Sequence, residues 1–207
     1  MINEDPLLRE LQALDALGDD DIDTSDIPVR TDFSSAVRRR FLHLTAREYD
    51  VRAIANWCIL RAREQSRTVS NLWLNKMVYF IYEEALRINK IILTQAKAEA
   101  WNHGPVFREI YFGIKSENAE ELLKTFDPIQ KRRVVADEDF SPSDIAIFEG
   151  VWRRLGHRTA TQLRKLSHEE GQAWHTVWNY SGNSNPGMRI DIGTIIGVSD
   201  LRANGNG

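Results

Sequence analysis

Residues 70–115, reading SNLWLNKMVYFIYEEALRINKIILTQAKAEAWNHGPVFREIYFGIK, hold the densest apolar sequence of the chain and its sharpest turn. From Leu72 to Ile88 apolar residues recur at Leu74, Met77, Val78, Ile81, Ala85 and Ile88, the three-and-four spacing of one helix face. Trp73, Phe80 and Leu86 widen that stripe until little polar face is left. Such a helix is buried on most sides, so the other elements are expected to pack around it. Ser70 is placed to cap its first turn, and Asn89 to take the left-handed conformation that ends it. The next segment, IILTQAKAEAWNHGPV, mixes β-branched and polar residues and predicts an irregular or short extended run leading to a tight turn at Gly104-Pro105. Pro105 suits the first position of a new helix, where its missing N–H would be an unpaired donor anyway, with Val106, Ile110, Tyr111 and Phe112 returning to the core.

The ordered runs LNKMVYFIYEEALRINKIIL and EAWNHGPVFREIY resemble the Panacea domain, the SocA-like antitoxin domain. Lys76, Tyr79, Phe80, Glu99, Ala100, Trp101, Gly104, Pro105, Val106 and Tyr111 carry the resemblance, and His168, Glu169 and Trp174 extend it, so that it covers residues 51–198. The resemblance implies a mainly α, compact multi-helix globular domain around the central buried helix with a small β element. It assigns these motif residues a structural role, with the segment around Trp174 packing back on the central helix. It also implies a function: neutralising a cognate protein toxin encoded by the adjacent gene.

An appendage precedes this domain. Residues 1–32 carry ten acidic residues against Arg9 and Arg30, a net of −8, whereas the remainder carries 25 basic against 20 acidic, a net of +5. Within the arm, PLLRELQALDAL places Leu7, Leu11 and Leu14 at helical spacing, a short amphipathic helix stopped by Gly18. The acidic linker GDDDIDTSDIPVRTDF then has no periodicity and is expected to stay extended until a partner orders it. Its DIP..TDFS.AVR..F pattern resembles a short stretch of several small bacterial antitoxins. The expected partner-binding residues are therefore Leu7, Leu11, Asp20, Asp21, Ile27, Phe33, Arg38, Arg39 and Phe41, with the aspartates steering the arm toward a basic toxin surface. The domain plan is an acidic arm over residues 1–45, the helical domain over 46–200, and a disordered tail over 201–207.

Around the central stretch, Asp50 caps a helix whose Val51, Ile54, Ala55, Cys58, Ile59 and Ala62 face inward. Asn118 to Phe126 reads as a short helix ended by Pro128, and Arg133 to Ala136 as a strand. Ser141-Pro142-Ser143-Asp144 is a strong helix start, and Gly156 closes that helix. Thr159 to Gln162 and Ser167 to Glu170 both have capping-box spacing, which predicts two short helices in succession. The run MRIDIGTIIG reads as a last strand or helical turn.

The chemistry-bearing residues do not assemble into a site on paper. His168 and His175 lie two helical turns apart, about 10 Å along an axis, too far to share a metal. His103 sits in the central turn and is expected to pack there. Glu83-Glu84 and Glu169-Glu170 are adjacent carboxylates that point about 100° apart on a helix, whereas general acid/base work needs convergence. No phosphate loop, HExxH, GxSxG or cysteine cluster is present, so no catalytic residue, metal or cofactor is assigned and no enzyme activity is expected. A helix reading base edges should display Arg, Lys, Asn or Gln, yet HEEGQAWHTVW offers acid and tryptophan, so packing is expected there and nucleic acid is not an expected partner. No window approaches the roughly 20 apolar residues of a membrane span, and the N-terminus lacks a signal pattern, which points to the cytoplasm without a membrane partner. Alternatives to direct neutralisation are a proteolytic adapter handing the toxin to a cellular protease, a DNA-binding autorepressor and a small-substrate hydrolase. Homo-oligomerisation stays open.

Overall fold

The computed structural model describes residues 44–114, 119, 121–180, 184 and 186–203, with side chains as far as residue 197. The expected arm residues Leu7, Leu11, Asp20, Asp21, Ile27, Phe33, Arg38, Arg39 and Phe41 lie outside the described residues.

The central helix is α2 (Asn71–Arg87), preceded by α1 (Val51–Glu64). Leu74, Met77, Val78, Ile81, Ala85 and Leu86 are fully buried, and Trp73 and Phe80 nearly so, because α2 is enclosed on several sides. It packs against α1, α4 (Pro142–Leu155), α5 (Ala160–Ser167), α7 (Ile192–Ala203) and strand β4 (Gly104–Phe107). Ser70 caps it by accepting from the Trp73 N–H at 3.2 Å. Its C-terminal end differs from expectation: Ile88 closes the helix in right-handed conformation, and the positive φ, +59°, falls on Lys90 instead of Asn89. The Lys90 ammonium donates to the Arg87 carbonyl, where a cation meets the negative end of the helix.

Short strands dress this helical core. Strand β1 (Thr45–Ala46) runs parallel to β2 (Ile91–Ile92), and β3 (Ala98–Trp101) lies between β4 and β7 (Met188–Arg189), antiparallel to both. The helix expected to begin at Pro105 does not. Pro105 pairs with Ala100 in a hairpin whose two-residue turn is Asn102-His103, and the helix that follows, α3 (Arg108–Tyr111), starts three residues later. A proline's fixed φ is equally at home in an extended strand, and the fully buried Phe107 side chain anchors β4 against the core. Ile110 completes that anchor, whereas Tyr111 and Phe112, expected inside, are 41% and 64% exposed.

The short helix expected up to Phe126 is likewise replaced by a strand. Lys124–Asp127 forms β5, paired with β6 (Arg132–Val135), and the Asp127 carboxylate accepts from the Ile129 and Gln130 N–H groups to shape the turn. This hairpin is tied to α1 by the buried Asn56, whose amide donates to the Leu123 and Ala136 carbonyls while its oxygen accepts from the Leu123 N–H. Ser141, Pro142 and Asp144 start α4 as expected, and Thr159 with Gln162 forms the capping box of α5. The second box does not form: Ser167 is the last residue of α5, its hydroxyl donates to the Arg164 carbonyl, and α6 (Ala173–Trp178) begins only after Gln172. The MRIDIGTIIG run gives both a strand, β7, and the start of α7.

Candidate functional site

The motif residues are separated by up to a hundred positions in sequence, yet one helix face, one hairpin and one helix junction bring most of them together. Lys76 sits in the second turn of α2 with no exposed surface, and its ammonium donates to the Pro105 carbonyl at 2.7 Å. Among the described residues no carboxylate pairs with it. Burial, reinforced by the positive charge of Arg164, pulls its pKa from 10.5 down to about 7.

Directly over Lys76 lies Gly104, with φ at +97°. A Cβ at that position would stand 2.7 Å from Lys76 Cε and 2.7 Å from Ser167 Oγ, and 3.1 Å from His168 Cε1, so the turn closes over the lysine only because residue 104 has no side chain. His168 Nδ1 is 2.7 Å from the Arg164 carbonyl, which fixes the proton on that nitrogen, and Nε2 is 3.4 Å from the Asn102 carbonyl in the hairpin turn. Burial lowers the His168 pKa, the two carbonyls oppose that, and the positive charges of Arg164 and Lys76 lower it further.

Trp174 completes the joint. Its ring lies 3.7 Å from that of His168, its indole N–H donates to the Trp101 carbonyl at 2.9 Å, and Trp178 stacks on it. Trp101 in turn donates its indole N–H to the Glu99 carboxylate at 2.9 Å and lies against Tyr111, with ring centroids 4.8 Å apart. Thus Lys76, Glu99, Trp101, Gly104, Pro105, Tyr111, His168 and Trp174 form one connected joint between α2, the β3–β4 hairpin and the α5–α6 junction. Val106 is buried within β4. Tyr79 and Phe80 belong instead to the interior of α2, their rings 6.0 Å apart. The Tyr79 hydroxyl has no hydrogen-bond partner among the described residues, and burial holds its pKa well above the ordinary value.

Four contributors escaped sequence reasoning: Asn75, Asn102, Arg164 and Ser167. Asn75 accepts from the Phe107 N–H at 2.9 Å and donates to Asn71, so it pins β4 to α2 from within an apolar stripe. An asparagine inside the apolar run from Leu72 to Phe80 was the available signal, and the structure leaves it 1% exposed. His103, expected to pack, is exposed in the hairpin turn. The adjacent carboxylates diverge: Glu83 lies 3.6 Å from Arg87, and Glu84 lies 3.1 Å from Arg154. Among the described residues no group of three or more His, Cys, Asp or Glu is placed to hold a metal, and no helix is long and apolar enough to cross a membrane.

Residues 74–175 match the family described as Antitoxin SocA-like, Panacea domain. The chain is also 30% identical over 148 residues to Antitoxin SocA of Caulobacter vibrioides (strain NA1000 / CB15N), covering 68% of this chain and 77% of that relative. The chain belongs to the SocA-like Panacea family. The matched span opens in the first turn of α2 and ends in α6, so it contains every residue of the joint from Lys76 to Trp174. In this Panacea domain Lys76, Gly104, Pro105, His168 and Trp174 therefore meet where the hairpin and the α5–α6 junction lie against the central helix, while Tyr111 at the edge of the joint is 41% exposed. No solved structure matches the chain.

Proposed function

We propose that this protein is an antitoxin that neutralises a protein toxin, the product of the adjacent gene, by binding it directly. The observation that carries this reading is the likeness to Antitoxin SocA over 148 residues. The geometry supports it in one respect. Most of the residues that carry the resemblance are spent on a joint around the buried Lys76, which makes the domain a rigid platform and leaves most of its surface free to suit a partner. At the outer edge of that joint Tyr111, and beside it Phe112, stand exposed with the Arg108 guanidinium 5.5 Å over the Phe112 ring, an aromatic and arginine composition suited to protein contact. The acidic arm, net −8 over residues 1–32, adds a clamp that orders on the toxin through Leu7, Leu11, Ile27, Phe33 and Phe41, with Asp20 and Asp21 steering toward a basic surface. Arg38 and Arg39 flank its apolar end. Co-expression with the adjacent gene tests this, scoring growth and co-purification together. Rescue with a stable complex is the expected result. Rescue without a complex points to a proteolytic adapter working with a cellular protease, and absence of rescue overturns the reading.

A further inference from the structure

A cleft of about 590 Å³ opens between residues 92–98 and residues 189–193, walled also by Leu44 and Tyr82. Its apolar lining comes from Leu44, Ile92, Ala98, Ile190 and Ile192. It adjoins a more polar hollow of about 320 Å³ that reaches Glu99, Arg108 and Glu109, and Lys97 and Arg189 line both spaces. These two cations are exposed, and among the described residues neither has an ion-pair partner. Most neighbouring acids are engaged. Asp191 accepts from the Thr194 N–H and hydroxyl at the start of α7, and Glu99 holds Trp101 and lies 3.8 Å from Arg108. Glu109 lines only the outer hollow.

Some of the backbone along the cleft is already paired. The Ile92 carbonyl accepts from the Arg47 N–H, the Leu93 carbonyl from Tyr49 and the Ala98 carbonyl from Ile190. At these paired positions an occupant is held by side chains and not by strand addition. Its volume falls in the range of small-molecule sites, which are apolar with a few convergent polar groups. We propose that the cleft binds a small amphipathic anion, its hydrocarbon part on Ile92, Ala98, Ile190 and Ile192 and its carboxylate between Lys97 and Arg189. This assignment is independent of toxin binding.

Calorimetric titration of the full chain with decanoate is the test, with decyltrimethylammonium as the same tail of opposite charge. The expected result is one saturable site per chain for decanoate, weakened about tenfold in the Lys97→Gln, Arg189→Gln double variant by loss of two partly exposed charge contacts. Both positions are exposed, so the variant keeps the fold. Binding of decanoate that the double variant leaves unchanged, or equally tight binding of the ammonium, would overturn the charge assignment. Failure of decanoate to saturate below about 1 mM, a free energy near −4 kcal/mol, would overturn the site as a whole and leave the cleft to a protein segment.

Discussion

Lys76 makes the stability of this domain depend on alkaline pH in a direction opposite to that of an exposed lysine pair. Its pKa in the folded chain is about 7, against 10.5 for an ordinary lysine, because burial opposes its charge and Arg164 adds to that opposition. The unfolded chain therefore holds a proton on Lys76 that the folded chain has lost between those two values, and stability rises with pH across that window. At full separation the slope is about 1.4 kcal/mol per pH unit, and from pH 7 to pH 9 the integrated gain is about 2 kcal/mol. The perturbation that isolates it is Lys76→Met, an unbranched side chain one heavy atom shorter that removes the titration together with the hydrogen bond to the Pro105 carbonyl. Urea unfolding of both proteins at pH 7, 8 and 9 gives the comparison, in which titrating groups not coupled to Lys76 cancel, and the window lies above the lowered titration of the coupled His168. The wild type should gain about 2 kcal/mol on the variant over that range. Parallel pH profiles for the two proteins would refute the claim that the lysine is held uncharged above neutrality.

Three further outcomes follow from named contacts. Gly104→Ala puts a methyl 2.7 Å from Lys76 Cε at φ +97° and should cost about 2–4 kcal/mol, read as a fall of several degrees in Tm; an unchanged Tm would mean that the turn is not tightly closed over the lysine. Burial alone would raise the Asp144 pKa, but the hydrogen bonds from Arg47, Ser141 and Tyr49 and the charge of Arg47 outweigh it and hold the carboxyl below its usual range. Its contribution is thus present above the ordinary carboxylate pKa and lost as pH falls through the folded value, so Asp144→Asn should destabilise by about 2 kcal/mol at pH 7 and flatten the acid limb of the stability profile. Cys58 is fully buried and burial pushes its thiol far up, so a maleimide should label it only on the unfolding timescale, and rapid labelling under native conditions would contradict its placement.

The helical skeleton was legible because it rests on local signals. Ser70, Asp50, Ser141 and Thr159 cap the helices their positions announced, and the α2 stripe is buried from Leu74 to Leu86, whereas Ile88, counted in it, caps the helix and is 65% exposed. Misreadings cluster where a residue type serves two local geometries. Pro105 fits a helix start and a strand equally well, and only pairing with Ala100 and the burial of Phe107 decide for the strand. Ser167 and Glu170 have the spacing of a capping box, but Ser167 is drawn into the joint with Lys76 and Gly104, a contact across 63 positions that no local window contains. The same holds for Asp144, which local reasoning placed at a helix start, while Arg47 and Tyr49, nearly a hundred residues earlier, are what make its burial tolerable. In the candidate site the residue types were legible from the family resemblance, but their convergence on a buried lysine was not.

The direct test of the functional account is to add the purified chain to the purified toxin encoded beside it, with no protease and no other component, and to follow the toxin's activity. The account predicts that activity disappears as the toxin becomes saturated and returns when the complex is dissociated. Full toxin activity in the presence of a large molar excess of the chain would contradict neutralisation by direct binding.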